Sequence, residues 1–166
     1  MVTIMRIDDR LVHGQIVTMW LSEADAKLIV VADDLAAGDA MQQMILKMGV
    51  PAGVTLKVLS LADAYAFVES PQGRAENILL LVRSPQSAKA FLELGFQIDA
   101  INLGNISNRA TRGGEKRVRV QLNLWPLPED VRTLREIAAM GVRLESRAVP
   151  SDKSQDVIPL LAKHFQ

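Results

Sequence analysis

Cysteine is absent from the 166 residues. That excludes a disulfide scaffold, thiol catalysis and cysteine-based zinc sites, and it fits a reducing compartment. An excess of one charge is missing too. The 19 Lys and Arg are matched by 19 Asp and Glu, which argues against an electrostatically driven binder of nucleic acid or membrane. Aromatics are few, with four Phe, two Trp and one Tyr, so a stacking platform for single strands is unavailable. The longest apolar runs, such as the centre of Asn77–Arg83, are strand-sized and far short of the ~18 residues of a membrane span. Two Arg and two Asp among the first ten residues leave no room for a secretory apolar region. The glycine motifs of phosphate loops and dinucleotide sites are missing, and no His/Asp/Glu grouping has zinc spacing.

What is present is a 49% hydrophobic chain, enough to fold as one domain over residues 1–166. Short β-branched or leucine runs recur at Val2–Ile7, Leu28–Ala32, Val54–Leu59, Ile78–Val82 and Ile98–Leu103. Their near-continuous hydrophobicity is that of strands covered on both faces. Helical patterns lie between them. Met41, Met44, Ile45 and Met48 fall on one helical face, which is expected to be core packing, since Met fills irregular gaps. Ala88, Phe91 and Leu92 follow Ser84-Pro85, a cap and a first-turn proline. Val131, Leu134, Ile137 and Ala138 repeat the pattern after Pro128. Gly49, Gly95 and Gly141 close these helices, as left-handed caps require. The cadence predicts an α/β domain with an open, mostly parallel central sheet and helices on both faces. One segment departs from it. Gly104–Gln121 holds Arg109, Arg112, Lys116, Arg117 and Arg119 against Glu115 alone, with Gly113-Gly114 in the middle, and leads into a strand-like Val118–Leu124. It is either a solvated loop guarding an edge strand or a docking surface for an acidic partner face, carried by Arg109, Arg112 and Lys116.

Two histidines are available for chemistry. His164, near the C-terminus, reads as a surface residue. His13 stands where the first strand ends in polar residues, Arg6-Ile7-Asp8-Asp9-Arg10, and a helix begins with Ile16, Val17 and Trp20. Open α/β sheets hold ligands at the carboxyl ends of their strands. Arg6 and Arg10 would keep a nitrogen lone pair of His13 free and could fork onto phosphoryl oxygens. Gly14 would let the backbone approach, with the amides of the next helix facing the anion. Asp8 and Asp9 would repel a phosphate, so their expected work is to orient the arginines, cap amides or fix the imidazole tautomer. A rival constellation, Asp33-Asp34 after the second strand with Asp8-Asp9 opposite, could form an acidic, metal-assisted pocket. Capping of the next helix explains those acids more cheaply.

The run RIDDRLVHGQIVTMW, Arg6–Trp20, closely resembles the signature of the IIB components of the mannose/fructose/sorbose family of the bacterial phosphoenolpyruvate-dependent sugar phosphotransferase system. LIVVADD at Leu28–Asp34, INLGNIS at Ile101–Ser107 and GVRLESRAVPSD at Gly141–Asp152 extend the resemblance along the chain. It implies that His13 is the phosphorylated residue, carrying the group on Nδ1, with Arg10 beside it. The HGQ run adds Gln15 to Arg6, Arg10 and Gly14 as phosphate-binding residues. The Ile101–Ser107 loop adds Asn102, Gly104 and Asn105 as support, together with Asp8 and Asp9. The implied activity is transfer of a phosphoryl group from a phosphohistidine IIA domain to a sugar held by membrane IIC and IID subunits. The implied location is cytoplasmic and peripheral to the permease. Neither metal nor cofactor is implied, and nucleic acid is not a partner. Two other classes remain open on the residues alone: a receiver-like module phosphorylated on Asp8 or Asp33, and a non-catalytic ligand-binding domain.

Overall fold

A computed structural model describes the backbone of all 166 residues and every side chain except those of Gln15 and Ile16. In chain order its elements are β1 (Val2–Asp8), α1 (Gly14–Glu23), β2 (Leu28–Ala32), α2 (Asp34–Ala37), α3 (Ala40–Met48), β3 (Thr55–Leu59), α4 (Leu61–Glu69), α5 (Pro71–Ala75), β4 (Ile78–Val82), α6 (Pro85–Glu93), β5 (Ala100–Asn105), α7 (Pro128–Ala139), β6 (Arg143–Ser146), β7 (Gln155–Asp156) and α8 (Val157–Ala162). They build one seven-stranded sheet in the order β3-β2-β4-β1-β5-β6-β7. Every pairing is parallel except that of β7, which runs antiparallel to β6.

The strand runs are hydrophobic throughout because each face of the sheet has its own core. Alternate residues of β2 and β4 divide between them. Val30 and Leu80 face α4, α6, α7 and α8, where Phe91, Leu134 and Leu161 are buried. Val31 and Leu81 face α1, α2 and α3, where Trp20 and Leu46 are buried. Side-chain caps set where helices begin. The hydroxyl of Ser84 accepts from the amide of Ser87, and Asp33 and Asp39 do the same for α2 and α3, each cap being worth about 1 kcal/mol. Among the described residues no helix is long and apolar enough to cross a membrane.

Three expectations need correction. The stripe Met41, Met44, Ile45, Met48 is not core. These side chains are between 62% and 81% exposed. The rotation of α3 is set by Leu46, which is buried, and by Gln43, whose amide donates to the carbonyls of Ala36 and Ala37. Gly49 is not left-handed, at φ −85, whereas Gly95 and Gly141 are. Its requirement is space, because a Cβ there would stand 3.3 Å from Cγ1 of Val12. Finally, Val118–Leu124 forms a turn with isolated bridges and no strand; the sheet edges are β3 and β7. Leu124 is buried in place of an edge ladder.

Candidate functional site

The carboxyl ends of the neighbouring strands β1, β5 and β6 lie side by side, and Arg6, Asp8, Arg10, His13, Asn102 and Asn105 gather there. Strand alternation turns Met5 and Ile7 to one core and sends Arg6 and Asp8 to the α1 face. In the parallel ladder Arg6 lies opposite Asn102, and Asp8 opposite Asn105. The register skips a residue between these pairs, at Gly104. A Cβ on Gly104 would fall 2.0 Å from Cζ of Arg6. The glycine is therefore the space in which the buried guanidinium sits.

Arg6 is not a surface clamp. Its Nη1 donates to Asn102 and to the carbonyl of Arg147, and its Nη2 to Asp8 and the carbonyl of Ala148. Its guanidinium lies over the indole of Trp20, 4.6 Å from the ring centre. Burial lowers the Arg6 pKa against the opposing pull of Asp8. The expected phosphate fork is thus corrected to a buried strut. Arg6 ties β1 to β5 and to the chain after β6, and it fixes Asp8 from below. Arg147, over the same indole ring and paired with Glu145 and Glu23, completes the strut. Neither Trp20 nor Arg147 was singled out as a site residue. The R-x₁₃-W spacing carried no visible signal, because the contact depends on strand pairing.

Asp8 is the hub. Its Oδ2 accepts from Arg6 and lies 3.0 Å from Nε2 of His13. Its Oδ1 accepts the amide of Arg10 at 3.0 Å, with Nε of Arg10 at 3.5 Å. Burial by itself would raise the Asp8 pKa. The hydrogen bond to His13 and the charge of Arg6 outweigh it and hold the carboxyl below its ordinary range. An ionised carboxylate only accepts. Nε2 of His13 must therefore carry the proton in that contact, and in the neutral ring Nδ1 keeps its lone pair.

The loop before α1 leaves the His13 side chain 22% exposed. Leu11 takes a left-handed φ of 57 while its side chain is buried, an anchor that offsets a strain of about 1 kcal/mol. His13 is the residue before α1, in extended conformation, and its side chain does not cap the helix. Gly14 has φ +42 and open space where a Cβ would be. The imidazole thus stands at a helix start, where an approaching anion would meet the first backbone amides. Arg10 keeps its guanidinium 40% exposed at the rim. The side chain of Gln15 lies outside the described residues.

Asp9 joins this loop to the end of β5. It accepts from Asn105, from the hydroxyl and amide of Ser107, and it pairs loosely with Arg109 at 3.6 Å. Arg109 therefore reaches the rim of the site, while Arg112 and Lys116 are exposed further out. Arg117 folds inward onto the carbonyls of Arg109 and Trp125 and so shapes the loop. The rival acids do not converge. Asp33 receives a two-pronged contact from Arg83 and caps α2, and Asp34 accepts the amide of Leu61. Among the described residues no three His, Asp or Glu side chains form a cation site. His164 is exposed.

A mostly parallel α/β sheet thus holds a histidine against a buried carboxylate at the carboxyl ends of its strands, and similarity supplies the class of protein. Residues 2–166 match the family model described as PTS system sorbose subfamily IIB component. The sorbose-specific EIIB component of Klebsiella pneumoniae is 33% identical, over 95% of this chain and 93% of that one. The crystal structure of the IIB domain of the K. pneumoniae sorbose permease superposes with a TM-score of 0.90 at 30% identity, covering 99% of both chains. The mannose-specific EIIAB component of Escherichia coli is 30% identical over 95% of this chain, which spans about half of that protein, 47%. The chain belongs to the sorbose-type IIB family of the phosphotransferase system. As a IIB component it is a phosphotransferase that works with IIA and membrane partners and a sugar.

Proposed function

We propose that His13 is the phosphoryl carrier of this IIB domain, which comprises residues 1–166, and that the group rides on Nδ1. The observation that carries the reading is the contact between Nε2 of His13 and the buried, ionised Asp8. It fixes the proton on one nitrogen and leaves the other as the nucleophile. In the first transfer Nδ1 attacks the phosphorus of the phosphohistidine on IIA. The Nδ1–P bond forms as the donor P–N bond breaks, and the donor imidazole leaves with its electron pair. The ring of His13 gains positive character, which Asp8 stabilises through the Nε2 hydrogen. In the second transfer a sugar hydroxyl held by the IIC and IID subunits attacks the same phosphorus. The electron pair returns to Nδ1, and the hydroxyl proton leaves to a base on the membrane side.

Arg10 is the residue placed to meet the phosphoryl oxygens, since Arg6 is spent on buried partners. A guanidinium and helix-start amides supply the electrostatic stabilisation a metal would otherwise give. The protein works in the cytoplasm, peripheral to its permease. The receiver-like alternative has less to stand on, because Asp8 and Asp33 are both committed to arginine partners.

The test is charging with phosphoenolpyruvate, the general phosphotransferase proteins and a IIA domain. The wild-type chain should take up one phosphate that is acid-labile. His13→Ala should take up none while its unfolding midpoint stays within a few degrees, since a partly exposed loop imidazole contributes little packing. Normal uptake by His13→Ala would end the proposal, and an alkali-labile phosphate would move it to a carboxylate, since a phosphohistidine survives alkali.

A further inference from the structure

We infer that the exposed methionine face of α3 docks the membrane subunits, while the basic loop on the opposite flank of His13 serves the IIA domain. The inference rests on the reading of the chain as a carrier between those two partners.

Met41, Met44, Ile45 and Met48 line one face of α3, each more than 60% exposed, with Leu35 on the adjoining α2 exposed as well. A contiguous apolar face of this kind marks an interaction site. The C-terminal end of α3 packs beside the loop that carries His13. Gly49, the residue after Met48, packs against Val12, the residue before His13. A Cβ at Gly49 would lie 3.3 Å from Cγ1 of Val12 and 3.6 Å from its carbonyl oxygen. A partner seated on this face would lie beside that loop.

Charge selects the partner. The other flank carries Arg10, Arg109, Arg112 and Lys116. Cytoplasmic loops of membrane proteins are enriched in Lys and Arg, so that flank repels them and favours an acidic face. The α2–α3 side presents Asp34 and Asp39 with the single cation Lys47 around its apolar centre. That composition complements basic, apolar loops at a membrane surface. Methionine suits the task, since its flexible thioether adapts to a partner whose conformation changes as sugar is taken up.

The test compares Met41→Gln/Met44→Gln/Met48→Gln with Arg112→Gln/Lys116→Gln. Gln keeps helix propensity, and circular dichroism with an unfolding midpoint checks the fold. Binding is read by co-sedimentation with vesicles containing the cognate IIC and IID subunits, against plain vesicles of the same lipids. Charging by phosphorylated IIA is read separately. The methionine variant should bind the permease vesicles at least about tenfold more weakly and be charged by IIA at the wild-type rate. The basic-loop variant should show the reverse. Wild-type vesicle binding by the methionine variant overturns the inference. Slowed charging with intact vesicle binding reassigns the face to IIA. A wild-type dimer that the variant dissociates reassigns it to a second copy. Failure of the wild-type chain to be charged at all would instead strike the carrier reading on which the inference rests.

Discussion

Asp8 is where most of the site's physics converges, and it is the residue most informative to change. Its carboxylate neutralises buried Arg6, receives the amide of Arg10 and fixes the imidazole of His13. Asp8→Asn leaves a buried guanidinium without its counter-charge, which should cost about 3 kcal/mol or more in urea unfolding. The amide can also present either an oxygen or an N–H to Nε2, so phosphoryl acceptance should fall on the order of a hundredfold. The pH dependence has a definite sign. A carboxyl whose folded pKa lies below its ordinary value of 3.8 contributes stability that is complete above that value. This contribution is lost as pH falls through the folded value. The stability gap between wild type and Asp8→Asn should therefore be flat from neutral pH down to about 5 and narrow toward pH 3. A gap that widens on acidification would contradict the account. The importance of Asp8 was partly visible in the sequence, where an acid beside a phosphate site needed some task other than binding. The burial of Arg6 was not visible, because it depends on which strand lies alongside β1.

At the scale of elements, Gly104 shows how β5 makes room for the site. Its missing side chain is the volume occupied by the guanidinium of Arg6, and the register skips a residue there. Gly104→Ala should push that buried group from its partners, lowering stability by about 2 kcal/mol as overpacked sites do. Phosphoryl acceptance should drop roughly tenfold through the loss of Asp8 positioning. Wild-type unfolding and charging in this variant would show that Arg6 relocates freely. The starts of α6 and α2 were legible from Ser84 and Asp33, since caps act within three residues. The orientation of α3 was not. Periodicity identifies an apolar face without saying what it faces, and here Leu46, together with the amide of Gln43, turns the methionines outward. Gly49 misled for a related reason. A glycine after a helix signals a left-handed cap, but this one is needed for its contact with Val12.

For the whole molecule, the sheet order explains why one histidine can serve two partners. β1 lies mid-sheet, with β5 and the basic loop on one side and the α1, α2 and α3 layer on the other. The strands were readable as segments in the sequence, yet their order was not, since hydrophobic runs carry no record of their neighbours. The family signature at Arg6–Trp20 supplied what periodicity could not. The two-flank arrangement predicts a salt effect. Arg112→Gln with Lys116→Gln should raise the KM for phosphorylated IIA severalfold at about 0.05 M salt. That defect should nearly vanish at about 1 M, where the Debye length is roughly 3 Å. The single-turnover rate at saturating IIA should not change; a fall in that rate at constant KM would place the loop at the phosphorus. The most direct test of the central claim is to charge the ¹⁵N-histidine-labelled chain through IIA and assign the phosphorylated nitrogen by NMR. The hydrogen bond from Nε2 to Asp8 predicts one phosphoryl group, on Nδ1 of His13, with Nε2 still protonated. A group on Nε2 of His13, or on any other residue, would contradict it.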